Sequence, residues 1–193
     1  MKHTLSVALC LLLAALLLVA LPTEAEADIY RDTLRLHVLA ASDSEEDQRI
    51  KLSVRDFVLT HYGEALREAD TVSEAIEKTS SLLGAIETDV NAYLTALGVD
   101  YRAHVTLSEE WYTTRVYESV TLPRGTYASL RITLDAGEGA NWWCVMYPPM
   151  CLSLATGQTG ETDGYTAEEQ RLIDGEGRTV KFKLLEVLSD LFG

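Results

Sequence analysis

The side chains with most chemistry within reach of one another lie between residues 137 and 151. Two of the three cysteines, Cys144 and Cys151, and two of the three tryptophans, Trp142 and Trp143, fall there, with Pro148 and Pro149 between the thiols. Thiols at this spacing can close a small loop. A metal site would need further ligands, and no histidine lies near them in sequence, so a Cys144–Cys151 disulfide is the expected pairing. The indoles offer either core packing or a stacking surface at the rim of a strand, for a partner or for wall sugars. Past the N-terminal segment the histidines are His37, His61 and His104. Two fall on polar strand faces and one on a helix, and no motif sets any of them beside a nucleophile. His-Glu-x-x-His, Gly-x-Ser-x-Gly and Gly-rich nucleotide loops do not occur. The acids of Asp43-Ser44-Glu45-Glu46-Asp47 lack the Asp-x-Asp-x-Asp-Gly pattern of a calcium loop and suit the positive end of a helix instead. No catalytic residue, metal ligand or cofactor is assigned, and no small-molecule substrate is expected.

The elements that position these residues belong to one domain, since 193 residues with 47% apolar content can bury a sizeable core. A net charge of −14 argues against a nucleic-acid partner and against adsorption on anionic lipid. Lys2, the apolar run Leu5 to Leu21, Pro22 and the small residues Ala25 and Ala27 have the order of a signal peptide, residues 1–27, cut after Ala27. An uncleaved anchor is the rival, because about 17 apolar residues is the lower limit for a bilayer span. Membrane contact is expected only through such an uncleaved segment. Loss of one cation and two anions with residues 1–27 moves the charge from −14 to −13. Export places the two remaining cysteines where disulfides persist.

Residues 28–193 are expected to form a single α+β domain: a mainly antiparallel sheet of about five strands against two long helices, plus a C-terminal helix. Leu34, Leu36 and Val38 alternate as the inward face of a strand, with Arg35 and His37 opposite. Ser44 (or Ser42) starts a helix carrying Ile50, Val54, Phe57, Val58 and His61, with Lys51, Arg55 and Asp56 outward. Thr71-Val72-Ser73-Glu74 is a capping box for a second helix ending at Gly98. Ala103, Val105 and Leu107 face inward on a strand whose polar side holds His104. A further strand is expected over Tyr112–Leu122. Another, with Ala128, Leu130, Ile132 and Leu134 inward, is expected to leave Tyr127, Ser129, Arg131 and Thr133 exposed. In the tryptophan strand both faces are apolar, which predicts a central position, and Pro148-Pro149 ends it. Residues 152–164 are polar and glycine-bearing, a flexible loop. Residues 179–192 carry a helical apolar face.

Two blocks resemble the stage II sporulation protein R family. The first is Arg35-Leu36-His37-Val38-Leu39-Ala40-Ala41-Ser42-Asp43-Ser44 with Asp47, Gln48, Lys51 and Val54-Arg55-Asp56. The second is Gly137-Glu138-Gly139-Ala140-Asn141-Trp142-Trp143-Cys144-Val145 with Pro148-Pro149-Met150-Cys151. Ala41 stands where the family is expected to have asparagine, and the resemblance covers Ile29 to Cys151. It implies a non-enzymatic signal of endospore formation, exported into the space between forespore and mother cell. There it would activate a membrane-embedded aspartic protease, from the extracytoplasmic side, that processes pro-sigma-E. Under that implication Asn141, one of Trp142 and Trp143, and the Ser42-Asp43-Ser44 turn are the candidate partner-binding residues. A secreted wall-binding module and a secreted hydrolase are the alternatives of other classes.

Overall fold

The computed structural model describes residues 6–7, 9–11, 13–14, 24–117, 120–149, 169–170 and 173. From residue 24 onward the described elements are α1 (Glu24–Arg31), β1 (Leu34–Leu39), α2 (Glu45–Arg67), α3 (Val72–Ala96), β2 (Ala103–Tyr112), β3 (Arg115–Tyr117), β4 (Val120–Leu122), β5 (Gly125–Leu134) and β6 (Asn141–Tyr147). They form an α+β domain around a four-stranded mixed sheet of order β2-β5-β1-β6, with β3 and β4 as a separate two-stranded ribbon. β1 runs parallel to β5, while β2–β5 and β1–β6 are antiparallel. The expected tail loop 152–164 and helix 179–192 lie outside the described residues. Among the described residues no helix is long and apolar enough to cross a membrane.

Local signals set both long helices. Ser44 Oγ accepts the Asp47 amide at 3.1 Å and caps α2. Thr71 does the same for α3, taking the Glu74 amide at 3.2 Å, while the Glu74 carboxylate reaches back to the Asp70 amide at 3.0 Å. At the other end Gly98 has φ +78°, its amide bonds Thr95 O and the Val99 amide bonds Leu94 O, each at 3.0 Å. That pair of bonds is a Schellman ending, which needs the left-handed residue that glycine supplies. α3 also closes the outer edge of β2. The Asn91 amide pairs with both backbone groups of Ala103, and Glu87 accepts the Val105 amide at 2.8 Å. Those side chains occupy backbone groups that an open edge would present to another strand.

The sheet is covered on both faces, and four expectations are overturned. The main core joins Leu34, Leu36 and Val38 to Val54, Val58, Ile86, Val90, Leu130, Ile132, Cys144 and Met146. A smaller core on the opposite face joins Ile29, Tyr112, Leu122, Tyr127, Val145 and Ile173. β1 is therefore the strand buried on both sides and flanked by two neighbours, whereas the tryptophan strand β6 is an edge. Two apolar faces marked a covered sheet, not a central position in it. β5 is likewise not half-exposed: Tyr127 and Ser129, expected in solvent, are 1% and 0% exposed beneath the second core. The strand expected over Tyr112–Leu122 is instead the end of β2 followed by the β3–β4 ribbon. Lys51, expected on the outer face of α2, is buried.

Candidate functional site

The two sequence blocks meet at one end of the sheet. The Asp43 carboxylate accepts the Ala140 amide at 2.7 Å, the Gly139 amide donates to Ala40 O at 3.0 Å, and Lys51 Nζ donates to Ala140 O at 3.0 Å. Lys51 Nζ also donates to Gln48 Oε1 at 2.6 Å, and Gln48 Nε2 to Ser42 O at 2.9 Å. Burial pushes the Lys51 ammonium pKa down, and the charge of Asp43 opposes that shift. A β-carbon on Gly139 would stand 2.2 Å from Ser42 O, so only glycine permits this approach. Asp47 ties the turn to the rest of the domain. It accepts the Ser42 and Ser44 hydroxyls at 2.5 and 3.1 Å and the Tyr101 hydroxyl at 2.8 Å. Hydrogen bonds from Ser42 and Tyr101 hold its carboxyl below the ordinary range. The side chains of Ser42, Asp43 and Ser44 thus hold the loop, while Asp43 and Ser44 remain exposed on its outer side.

The loop delivers β6 with its two tryptophans on opposite faces. Trp142 packs against the main core, with the Arg55 guanidinium 4.9 Å above its ring. Trp143 packs against the second core, under the Arg115 guanidinium at 3.8 Å and beside the His37 ring at 5.5 Å. Both indoles are half-buried. Cys144 is buried, and its expected pairing with Cys151 lies outside the described residues.

On the Trp143 face the register sets Arg131, His37 and Trp143 side by side across β5, β1 and β6. One His37 nitrogen, Nδ1, bonds the Glu110 carboxylate at 2.9 Å, and the other, Nε2, bonds Asn141 Oδ1 at 2.8 Å. Asn141 is therefore shared: its backbone leaves the loop while its side chain orients an imidazole. Glu110 also accepts Arg131 at 3.0 Å and the Tyr112 hydroxyl at 2.9 Å, and Tyr112 meets Ser129 at 2.6 Å. Burial pushes the Glu110 carboxyl pKa up, but the bond and charge of His37, with the Tyr112 and Ser129 hydroxyls, outweigh it and hold it at about 2. Burial raises the Tyr112 phenol pKa. Below this row the buried Arg35 guanidinium lies 3.9 Å from the Tyr112 ring centre and 4.9 Å from that of Tyr127.

The row floors a pocket of about 370 Å³ whose walls include Trp111, Thr113, Arg115 and Trp143. Trp111, in that wall, is 65% exposed. The sequence did not single out Glu110, Arg131, Arg115 or Trp111, because their bonds and ring contacts cross strands far apart in the chain. His104, on the polar side as expected, pairs instead with Glu87 at 3.0 Å. Among the described residues no group of three or more His, Cys, Asp or Glu side chains could hold a metal ion.

Comparison with known proteins places this geometry in a family. No solved structure matches the chain. A protein of Bacillus subtilis (strain 168) named stage II sporulation protein R is 30% identical over 181 residues, covering 82% of this chain and 81% of that protein. Residues 30–156, which include both blocks, the clasp they form and the pocket, match the family described as stage II sporulation protein R (spore_II_R). The chain belongs to the stage II sporulation protein R family and so to the proteins of sporulation.

Proposed function

We propose that the protein is an exported signal that acts by contact, activating a membrane-embedded aspartic protease that processes pro-sigma-E. The supporting observation is the family match over residues 30–156. The polar network of the site fits this reading, since its side chains are spent on one another and on fixing a surface. The test is co-expression of the protein, the protease and the pro-sigma substrate in cells free of other sporulation proteins. Cleavage is expected only when all three are present. Cleavage that is the same with and without this protein would overturn the proposal.

Export carries two further proposals. The mature chain should begin at Asp28, inside α1. A cut there spares the buried Ile29, whose carbonyl accepts the Thr33 hydroxyl at 2.6 Å. N-terminal sequencing of exported protein should return Asp28, and Met1 would establish the anchor instead. Cys144 and Cys151 should be bonded, closing a short loop worth about 2–3 kcal/mol. Mass spectrometry of natively exported protein should show no free thiol at either position. Two alkylatable thiols would refute the bond.

A further inference from the structure

The pocket holds two guanidiniums and one carboxylate. Arg131 shares Glu110 with His37, at 3.0 and 2.9 Å. Arg115 forms no ion pair among the described residues, and its Nε is buried without a hydrogen-bond partner. Its cation instead lies over the Trp143 ring, 3.8 Å from the ring centre. A buried donor left unmade is costly, and a guanidinium stacked on an indole is pre-oriented for a planar acceptor. In a chain of net charge −14 this is a local excess of positive charge. Beside it stands Trp111, an exposed apolar side chain lining the same pocket. Arg and Trp at a concave site, flanked by apolar rim, are the composition of a protein-binding hot spot.

We propose that this pocket is the docking site for an acidic peptide segment of a protein partner. A carboxylate of that segment pairs with Arg115, and an adjacent apolar side chain covers Trp111. The identity of the partner as a protein rests on the contact mechanism proposed above. The carboxylate requirement rests on the pocket alone. A neutral glycan is disfavoured, because Arg115 already covers a face of Trp143 and a sugar leaves the guanidinium unneutralised.

The test titrates the purified exported chain with acetyl-Phe-Glu-Phe-amide, with its glutamine counterpart and with soluble peptidoglycan fragments, followed by tryptophan fluorescence and calorimetry. The glutamate peptide should bind at least about tenfold more tightly than the glutamine one, the difference that one charge-assisted hydrogen bond makes. Arg115→Gln should abolish that preference. Arg55→Gln, which removes a guanidinium stacked on the other tryptophan, should leave it intact. Thermal unfolding of each variant checks that the fold survives. Equal binding of the two peptides, binding of neither, an unchanged preference in Arg115→Gln, or binding of wall fragments alone would overturn the proposal. Because the protease is absent from this titration, its failure would leave the processing assay to judge the contact mechanism separately.

Discussion

Glu110→Gln should lower the unfolding free energy by roughly 3 kcal/mol at neutral pH and flatten the acid limb of the stability curve. Glu110 is 13% exposed and holds both His37 and Arg131, so neutralising it leaves the Arg131 guanidinium and the His37 ring facing an amide. Its folded pKa of about 2 lies below the ordinary 4.5. The carboxylate therefore adds stability that is fully present above about pH 4.5 and is lost as pH falls through about 2. A shift of that size corresponds to on the order of 3 kcal/mol. Urea unfolding of wild type and variant at pH 7, 5, 4 and 3 would measure it, with the gap between them narrowing as the pH drops. The Asp47 and Glu74 carboxyls are also held below their ordinary values, so only the difference between the two proteins isolates Glu110. Parallel curves would show that the network contributes nothing through this charge.

Local chemistry was legible in the sequence where it acts over a few residues. The caps at Ser44 and Thr71 and the glycine ending at Gly98 are set within one turn of the chain, and all three stand where their residue types put them. Layering was less legible. The alternation in β5 distinguished two faces correctly, but alternation does not reveal whether the polar face meets water or a second small core. Tyr127 is buried there in a cluster with Ile29, Leu122 and Ile173, and buried Ser129 meets the Tyr112 hydroxyl of the same cluster. Lys51 misled for a related reason: a lysine at a helix start suggests solvent, yet its ammonium finds one acceptor in Gln48 of its own helix and a second in Ala140 O of a neighbouring loop. The pocket was least legible of all. Its bonds join positions separated by 73 and 104 residues, distances at which only the sheet topology creates neighbours. The sequence blocks did mark Asn141 and Trp143. What they could not convey is that Asn141 serves His37, and that Trp143 serves Arg115.

Under the proposed contact mechanism, the separation of the two tryptophans gives the sharpest test of which face of the molecule meets the protease. Trp142 lies on the main-core side with Arg55 above it, so Trp142→Ala removes packing and should cost roughly 2–3 kcal/mol, somewhat under the usual figure for a fully buried indole. Trp143 lies on the pocket side, where it seats Arg115 and abuts only the smaller core. Its removal should cost less stability and more signal. A hot-spot tryptophan contributes about 2 kcal/mol or more, roughly thirtyfold in affinity. Thermal unfolding of each variant, combined with pro-sigma-E processing scored below both midpoints, separates the two effects. Trp142→Ala should unfold earlier yet support processing while folded, and Trp143→Ala should stay folded and process poorly. The reverse assignment would move the contact surface to the helix-covered face, around Arg55 and the Ser42-Asp43-Ser44 turn. Normal processing by both folded variants would remove the aromatic strand from the recognition surface altogether.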